Sequence, residues 1–466
     1  MTAANRQRIL LFSLLAVVAV GVFWLRAHNE REAAKETTGL FVPQKIDITP
    51  EMLLLQEYVR IDTSNPPGKE LAGAQWLAAQ LKKSGVAAEV IESAPGRGNV
   101  YARIRGKQPG NALMLLSHID VVPAVVSQWI EPPFGGNIHR NILSGRGTLD
   151  MKGIAICELM AFTDIATGGR QPEHDVIFLA VADEEAGSTF GMQWLLANRP
   201  DVVDGVRYVL NEGGASEVLA DKLQYVGIEV GSKLLVTVTL QAPTREQLRQ
   251  ARLLLEPYFD SDEPGRVLPP VKRYLAESAP HRLENREFLA DIDRTIAAGK
   301  FWLLPRSLRE LTQNVVWPLG AEAAPGGGFT MRAHLFNLPD EDGRARVEWL
   351  RKLVEPHGVT IAKTEGTFGP APFSDADSPM FGITRSEMQK EYGPVTVGTH
   401  VLPNTMSDCR WLRPRPGLDC YGLYPFPVDV LQTRGVHGVN EMIRLDWFAQ
   451  GVRATKGIVR KYALGL

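Results

Sequence analysis

The sequence predicts an α/β chain: a mixed, largely parallel sheet flanked by helices, interrupted by an inserted α+β domain and preceded by an N-terminal transmembrane helix. Three observations predict it. Short apolar runs bounded by turn residues, at 100–104, 112–117, 176–182 and 208–210, interleave with stretches of helical period. Continuous apolar strands of this kind are covered on both faces. Near Gly231 the pattern changes to strand alternation followed by helix, and the α/β pattern resumes near Phe373. Finally, residues 9–25, ILLFSLLAVVAVGVFWL, form one uncharged apolar run.

That run is the first element. Its 17 residues reach about 25 Å as a helix, enough to span a bilayer with Arg8 and Arg26 snorkelling at either end. Arg6 and Arg8 precede it and both signs of charge follow, so the positive-inside rule puts the N-terminus in the cytoplasm and residues 40–466 outside. In a Gram-negative source this is the periplasmic face of the inner membrane. Secretion after signal cleavage is the alternative, although the run exceeds a usual signal h-region and lacks a small-x-small site before residue 28. We read the run as an uncleaved signal anchor. Residues 28–45 form a polar tether.

Helical spacing follows at 51–61 and 69–85 around a Thr-Ser-Asn-Pro-Pro break, then at 151–166 and 191–197 between the apolar runs. In the insert, 233–240 alternates as a strand, 244–258 has helical period, a Pro-rich passage runs to about Pro280, and 328–335 is strand-like. A helix at 446–464 closes the chain.

Composition narrows the function classes. A chain of 466 residues supports two or three domains, and 44% hydrophobic with 22% charged residues excludes a wholly disordered protein. Lys+Arg (51) against Asp+Glu (53) leaves a net charge of −2, with no basic footprint for nucleic acid. Three cysteines exclude a disulfide scaffold and a Cys-rich metal site, leaving room for one Cys409–Cys420 bridge.

The chemistry stands where the apolar runs stop. Residues 112–117 end in His118-Ile119-Asp120, and two residues apart on a strand share a face, so Asp120 can accept the second ring N–H of His118. A Gly-rich turn, SGRGTL (144–149), delivers Asp150. The run 176–182 ends in Asp183-Glu184-Glu185, and 208–210 ends in Asn211-Glu212-Gly213-Gly214. Alone, each reads as an ordinary turn or cap. In open α/β sheets, however, ligands bind outside the carboxyl ends of the strands. Four carboxylates and a histidine converging there repel one another unless a cation neutralises them, and oxygen plus imidazole ligation suits paired divalent ions.

The chain resembles the di-zinc peptidase family of carboxypeptidase S, aminoacylase, acetylornithine deacetylase and succinyl-diaminopimelate desuccinylase, and is most similar to the longer, carboxypeptidase S-like members. LLSHIDVVP (115–123), WIEPPFGG (129–136), GRGTLDMKG (145–153), ADEEAGS (182–188), NEGG (211–214), SDCRWLR (407–413) and GVHGVNEMI (435–443) carry the resemblance. It implies two divalent ions, zinc first with Co2+ or Mn2+ as alternatives. Asp150 bridges them, His118 and Glu212 complete one site, and Glu185 and His437 the other; some relatives have Asp at the position of Glu212. It further implies Glu184 as the base activating a metal-bridging water, Asp120 as the residue orienting His118, and Asp408 and Arg410 near the substrate. The expected reaction is hydrolysis of the C–N amide bond of a small peptide or N-acyl amino acid. The domains become 1–27 cytoplasmic end and anchor, 28–45 tether, 46–230 and 371–466 the two parts of a catalytic domain, and 231–370 a lid or dimerisation-like insert.

One departure stands out. The strand opening the insert runs from Leu240 into Gln241-Ala242-Pro243-Thr244-Arg245-Glu246, with no histidine where typical members carry one that helps hold the oxyanion. His281 and His334 are candidate replacements. The departure keeps two alternatives open: a metal-retaining binding or regulatory protein of weakened turnover, and a non-peptidic amidase or deacylase on the same scaffold. Monomer and homodimer both remain open.

Overall fold

The computed structural model describes residues 46–465 apart from residues 220, 260 and 283, so the expected anchor and the whole of the tether lie outside the described residues. Among the described residues, no helix is long and apolar enough to cross a membrane.

Strands β1 (Ala88–Ala94), β2 (Arg97–Ile104) and β3 (Gln108–His118) precede a small hairpin of β4 (Asn137–His139) and β5 (Ile142–Ser144). After them come β6 (His174–Val181), β7 (Val206–Asn211), β8 (Ala215–Leu219) and β9 (Lys222–Ser232). The insert supplies β10 (Leu234–Ala242), β11 (Val315–Ala323), β12 (Phe329–Asn337) and β13 (Thr360–Gly366). The chain ends with β14 (Thr396–Leu402), β15 (Asp419–Gly422), β16 (Met442–Arg444) and the helix Leu445–Leu464.

The main sheet has the order β1-β2-β6-β3-β7-β15-β9-β14, with β8 paired to β9. Its centre, β6-β3-β7-β15, is parallel, as is β9 with β14. The pairs β1–β2, β2–β6, β15–β9 and β8–β9 are antiparallel. The sheet is therefore mixed, with parallel pairing confined to the centre and one edge. The short link between β1 and β2 permits only antiparallel pairing. Both faces are covered, as the continuous apolar runs require. Leu113 and Leu115 of β3 join a core with Ile154, Phe162, Phe448 and Ile458 from the helices Lys152–Thr167 and Leu445–Leu464. Met114 and Leu116 point into a second core with Met192, Leu195 and Leu412.

The insert divides. Strands β11-β12-β10-β13 form a separate antiparallel sheet. Val236, Val238 and Leu240 bury one of its faces against Leu248, Leu255 and Leu350 of the helices Arg245–Leu255 and Gly343–Val354. The helix Pro269–Ser278 and the chain to Leu311 join the main core instead, through Val271, Leu275, Leu289 and Leu311.

Candidate metal centre and active site

Every site residue lies past the carboxyl end of a main-sheet strand or in a loop facing it. His118 is the last residue of β3. After β6 the chain turns sharply at Asp183 (φ +70°) into a single turn holding Glu184 and Glu185. Glu212 follows β7, Asp150 precedes the helix Lys152–Thr167, and His437 stands in the loop before β16 at φ +55°. Left-handed backbone at Asp183 and His437 costs on the order of 1 kcal/mol each and persists where surrounding contacts fix it.

Five ligand-type side chains meet here. His118 Nε2 lies 3.0 Å from Asp150 Oδ1 and 3.5 Å from Glu212 Oε2. His437 Nε2 lies 3.0 Å from both Asp150 Oδ2 and Glu185 Oε2. Asp150 thus sits between the two imidazoles. His118, Glu184 and Glu212 offer ligand atoms within 4.8 Å of one another, as do His118, Asp150 and Glu185.

The electrostatics show the strain of this crowding. Burial and the charge of Asp150 push the Glu185 carboxyl up to about 7. Burial and Asp150 also raise Glu212 well above the usual carboxylate range. Burial opposes ionisation of Asp150, but the two histidines outweigh it and hold its carboxyl below that range. Hydrogen bonds donated to Asp150 and Glu185 push the His437 imidazole up to about 11. Carboxyls pushed up at Glu185 and Glu212, beside imidazoles pushed up at His118 and His437, mark a donor set short of positive charge. Divalent cations fit it.

A surrounding layer aims these groups. Asp120 was expected to orient His118 through its carboxylate, but the ring Nδ1 lies 2.9 Å from the Asp120 backbone carbonyl, with the carboxylate at 3.6 Å. The reason is local: β3 stops at His118, so the strand rule that puts alternate residues on one face no longer governs Asp120. The Asp120 carboxylate instead accepts from the Glu184 and Glu185 backbone N–H groups, both at 3.1 Å, and from Asn65 Nδ2 at 2.9 Å. It holds the turn that carries both glutamates. Asp183 is fixed by Arg97, by Asn65 Nδ2 (2.9 Å) and by the Phe190 N–H (3.1 Å).

Glu184 differs from its neighbour. Its Oε1 accepts from Arg410 Nη1 at 2.6 Å, a pair buried on both sides. Arg410 Nη2 also donates to Ser188 Oγ (3.2 Å), and that hydroxyl donates to Asp408. Burial and the charge of Glu184 raise the Asp408 carboxyl to about 7. Asp408 and Arg410 therefore both reach the site, through Glu184 and Ser188. The two candidate lid histidines are engaged elsewhere: His334 Nδ1 lies 3.0 Å from Thr237 Oγ1 in the second sheet, and the His281 ring packs 5.7 Å from that of Tyr225.

Sequence reasoning missed Glu441. This fully buried carboxylate accepts from Arg146 Nη1, Gly147 N and Leu149 N, each at 2.8 Å, and from Asp150 N at 3.2 Å. It fastens the Gly-rich turn that delivers Asp150. Asn65, Arg97 and Arg146 were also unassigned, although Arg146 and Glu441 lie inside the motif text GRGTLDMKG and GVHGVNEMI.

A model of peptidase family M20/M25/M40 matches residues 114–461, three quarters of the chain. The chain belongs to peptidase family M20/M25/M40. It is a hydrolase of the metallopeptidase and aminoacylase type. A probable carboxypeptidase S-like 2 protein of Dictyostelium discoideum is 25% identical over 378 residues, covering 72% of this chain and 69% of that protein. Aminoacylase-1 of Sus scrofa is 30% identical over 171 residues, 36% of this chain and 42% of that one. Among solved structures, an M20 family metallo-carboxypeptidase from Sulfolobus solfataricus aligns with a TM-score of 0.68 at 18% identity, over 89% of this chain and 99% of that one. That last likeness establishes the M20 fold: a mixed sheet flanked by helices.

Proposed function

We propose that the chain is a two-metal amidohydrolase that cleaves the C–N amide bond of small peptides or N-acyl amino acids, anchored by its N-terminal apolar segment with the catalytic body outside the cytoplasm. One observation carries the reaction class: five ligand-type side chains converge, and a further carboxylate, Glu184, is held beside them by Arg410. Bound by His118, Asp150, Glu185, Glu212 and His437, two divalent ions, zinc first with Co2+ or Mn2+ as alternatives, would supply Lewis-acid polarisation and lower the pKa of a water. Glu184 is the base. With Oε1 committed to Arg410, its Oε2 takes the proton of the attacking water and returns it to the departing amine. Asp120 keeps Glu184 and Glu185 on one rigid turn, so that a base and a ligand adjacent in sequence hold separate places. No serine or cysteine nucleophile is required.

Two observations support the location. The apolar run 9–25 is flanked by arginines, and Cys409 and Cys420 form a disulfide, a linkage that persists in oxidising compartments.

Turnover of a panel of dipeptides and N-acyl amino acids by metal-loaded protein tests the activity, with and without a chelator. Chelator-sensitive release of free amine is expected. Full metal occupancy with no turnover across the panel would favour the binding-protein alternative, for which the missing lid histidine is the motivating observation. Carbonate extraction of membranes tests the anchor: native protein should stay in the pellet, and complete extraction would contradict it.

A further inference from the structure

We propose that the Cys409–Cys420 disulfide is a positioning device for catalysis, holding Arg410 against Glu184. The proposal rests on the reading of Glu184 as the base.

Arg410 stands on a helix of only four residues, Cys409–Leu412, too short to hold its own shape. Side chains brace it at both ends: Asp408 accepts from Ser188, while Arg413 Nη2 donates to Glu229 (2.7 Å) and to the Cys420 carbonyl (2.9 Å). The disulfide adds the covalent brace. Cys409 immediately precedes Arg410, and both cysteines are fully buried. Cys420 lies on β15, in register with Val209 of β7, and the next paired positions lead to Asn211, just before Glu212. The bond therefore ties the backbone beside Arg410 to the strand layer that carries the metal ligands. Only 11 positions separate the two cysteines, a short loop whose closure removes little unfolded-state entropy compared with a long one. Its larger consequence is local. The guanidinium meets Glu184 Oε1 at 2.6 Å through a single nitrogen, its other nitrogen being turned to Ser188, so a small drift of the helix breaks the contact. Misplacement of a catalytic group by about 1 Å costs up to roughly a hundredfold in rate.

A double-mutant cycle on the metal-loaded full chain tests this, with kcat, KM, metal content and thermal melting read for each variant. Cys409→Ala/Cys420→Ala should lower kcat about tenfold and change KM less than about threefold, with both metals retained. In an Arg410→Ala background the same pair of substitutions should change kcat less than about twofold, because the group being positioned is already gone. An equal loss in both backgrounds would make the bridge merely structural and overturn the proposal, as would wild-type kcat without the bridge. Cys409→Val/Cys420→Ala, which refills the sulfur volume, repeats the cycle if the alanine pair does not fold; failure of both to fold would place the bridge in folding and overturn the positioning role. Glu184→Gln separates the premise. If that variant retains turnover, the base assignment fails whatever the cycle shows.

Discussion

Glu441 is where the structure makes its sharpest quantitative claim. Its Oε2 accepts from Arg146 and Gly147, and its Oε1 accepts from Leu149 and Asp150. Glu441→Gln keeps the shape but leaves one oxygen, and an amide NH2 then faces two of the four donors. With the oxygen turned to Arg146, the Leu149 and Asp150 N–H groups lose an acceptor, at about 1–3 kcal/mol each. Arg146 loses its countercharge, and breaking a buried pair costs about 3–5 kcal/mol. Two effects reduce the sum. Burial pushes the Glu441 carboxyl up, so neutralising it returns part of a desolvation cost, and Arg146 keeps the Gly438 carbonyl and the face of Trp129. The expected loss is about 3 kcal/mol of stability by urea denaturation. Because the Asp150 backbone loses its anchor, metal affinity should fall about 10- to 100-fold in competition with a chromogenic chelator. A stability change below about 1 kcal/mol with affinity unchanged would refute the claim that this carboxylate holds the Asp150 turn.

Glu184→Gln should retain both ions by elemental analysis and lower kcat at least about a hundredfold, whereas Glu185→Gln should lose metal; equal metal loss in both would reverse the roles. Stripping the ions should lower the melting temperature, since metal bound only to the folded state stabilises it and its removal leaves Glu185 and Glu212 crowded against Asp150; an unchanged transition would argue against the site. His400 is buried neutral against Tyr274, and burial followed by the charge of Arg282 brings its imidazole down to about 3. A depressed folded value means that its contribution is complete above the unfolded value near 6.5 and is lost as pH falls towards 3, at up to about 1.4 kcal/mol per pH unit. His400→Phe should flatten that part of the stability profile, and an unaltered acid slope would show that other groups set it.

Three of the ligands, His118, Glu185 and Glu212, were legible because an apolar run stops within three residues of each. Residues 112–117, 176–182 and 208–210 end at His118, Glu184-Glu185 and Glu212, and a parallel sheet brings such ends together whatever the intervening sequence. His437 was reached only through the resemblance, since it sits on a left-handed turn outside any apolar run. Strand β15, Asp419–Gly422, has four residues and no run to mark it, and it escaped notice although it joins β7 to β9. Strands β9 and β10 are separated by Lys233 alone, so the change of pattern read near Gly231 falls within two residues of the actual junction. Lys233 is where the chain leaves the main sheet for the second, its buried ammonium donating to the Glu310 carbonyl at 2.9 Å.

What stayed hidden shares one physical cause. A metal ligand must be a His, Asp or Glu on a fixed framework, and that restriction leaves a mark at the strand ends. The groups that aim the ligands are under no such restriction. Glu441 reaches Arg146 across 295 positions, Arg410 reaches Glu184 across 226, and Arg97, the first residue of β2, meets Asp183 across 86. Each is an ordinary charged residue whose partner is set by the closed fold rather than by spacing, so no period or motif announces the pair. Asp120 shows both sides: its type and its place beside the His118 ring, 3.6 Å from carboxylate to Nδ1, were readable, yet its hold on the Glu184 and Glu185 N–H groups was not. The precision of this centre therefore rests on buried pairs that only the fold reveals, and substitutions there should disturb metal affinity and base position while leaving every ligand residue in place.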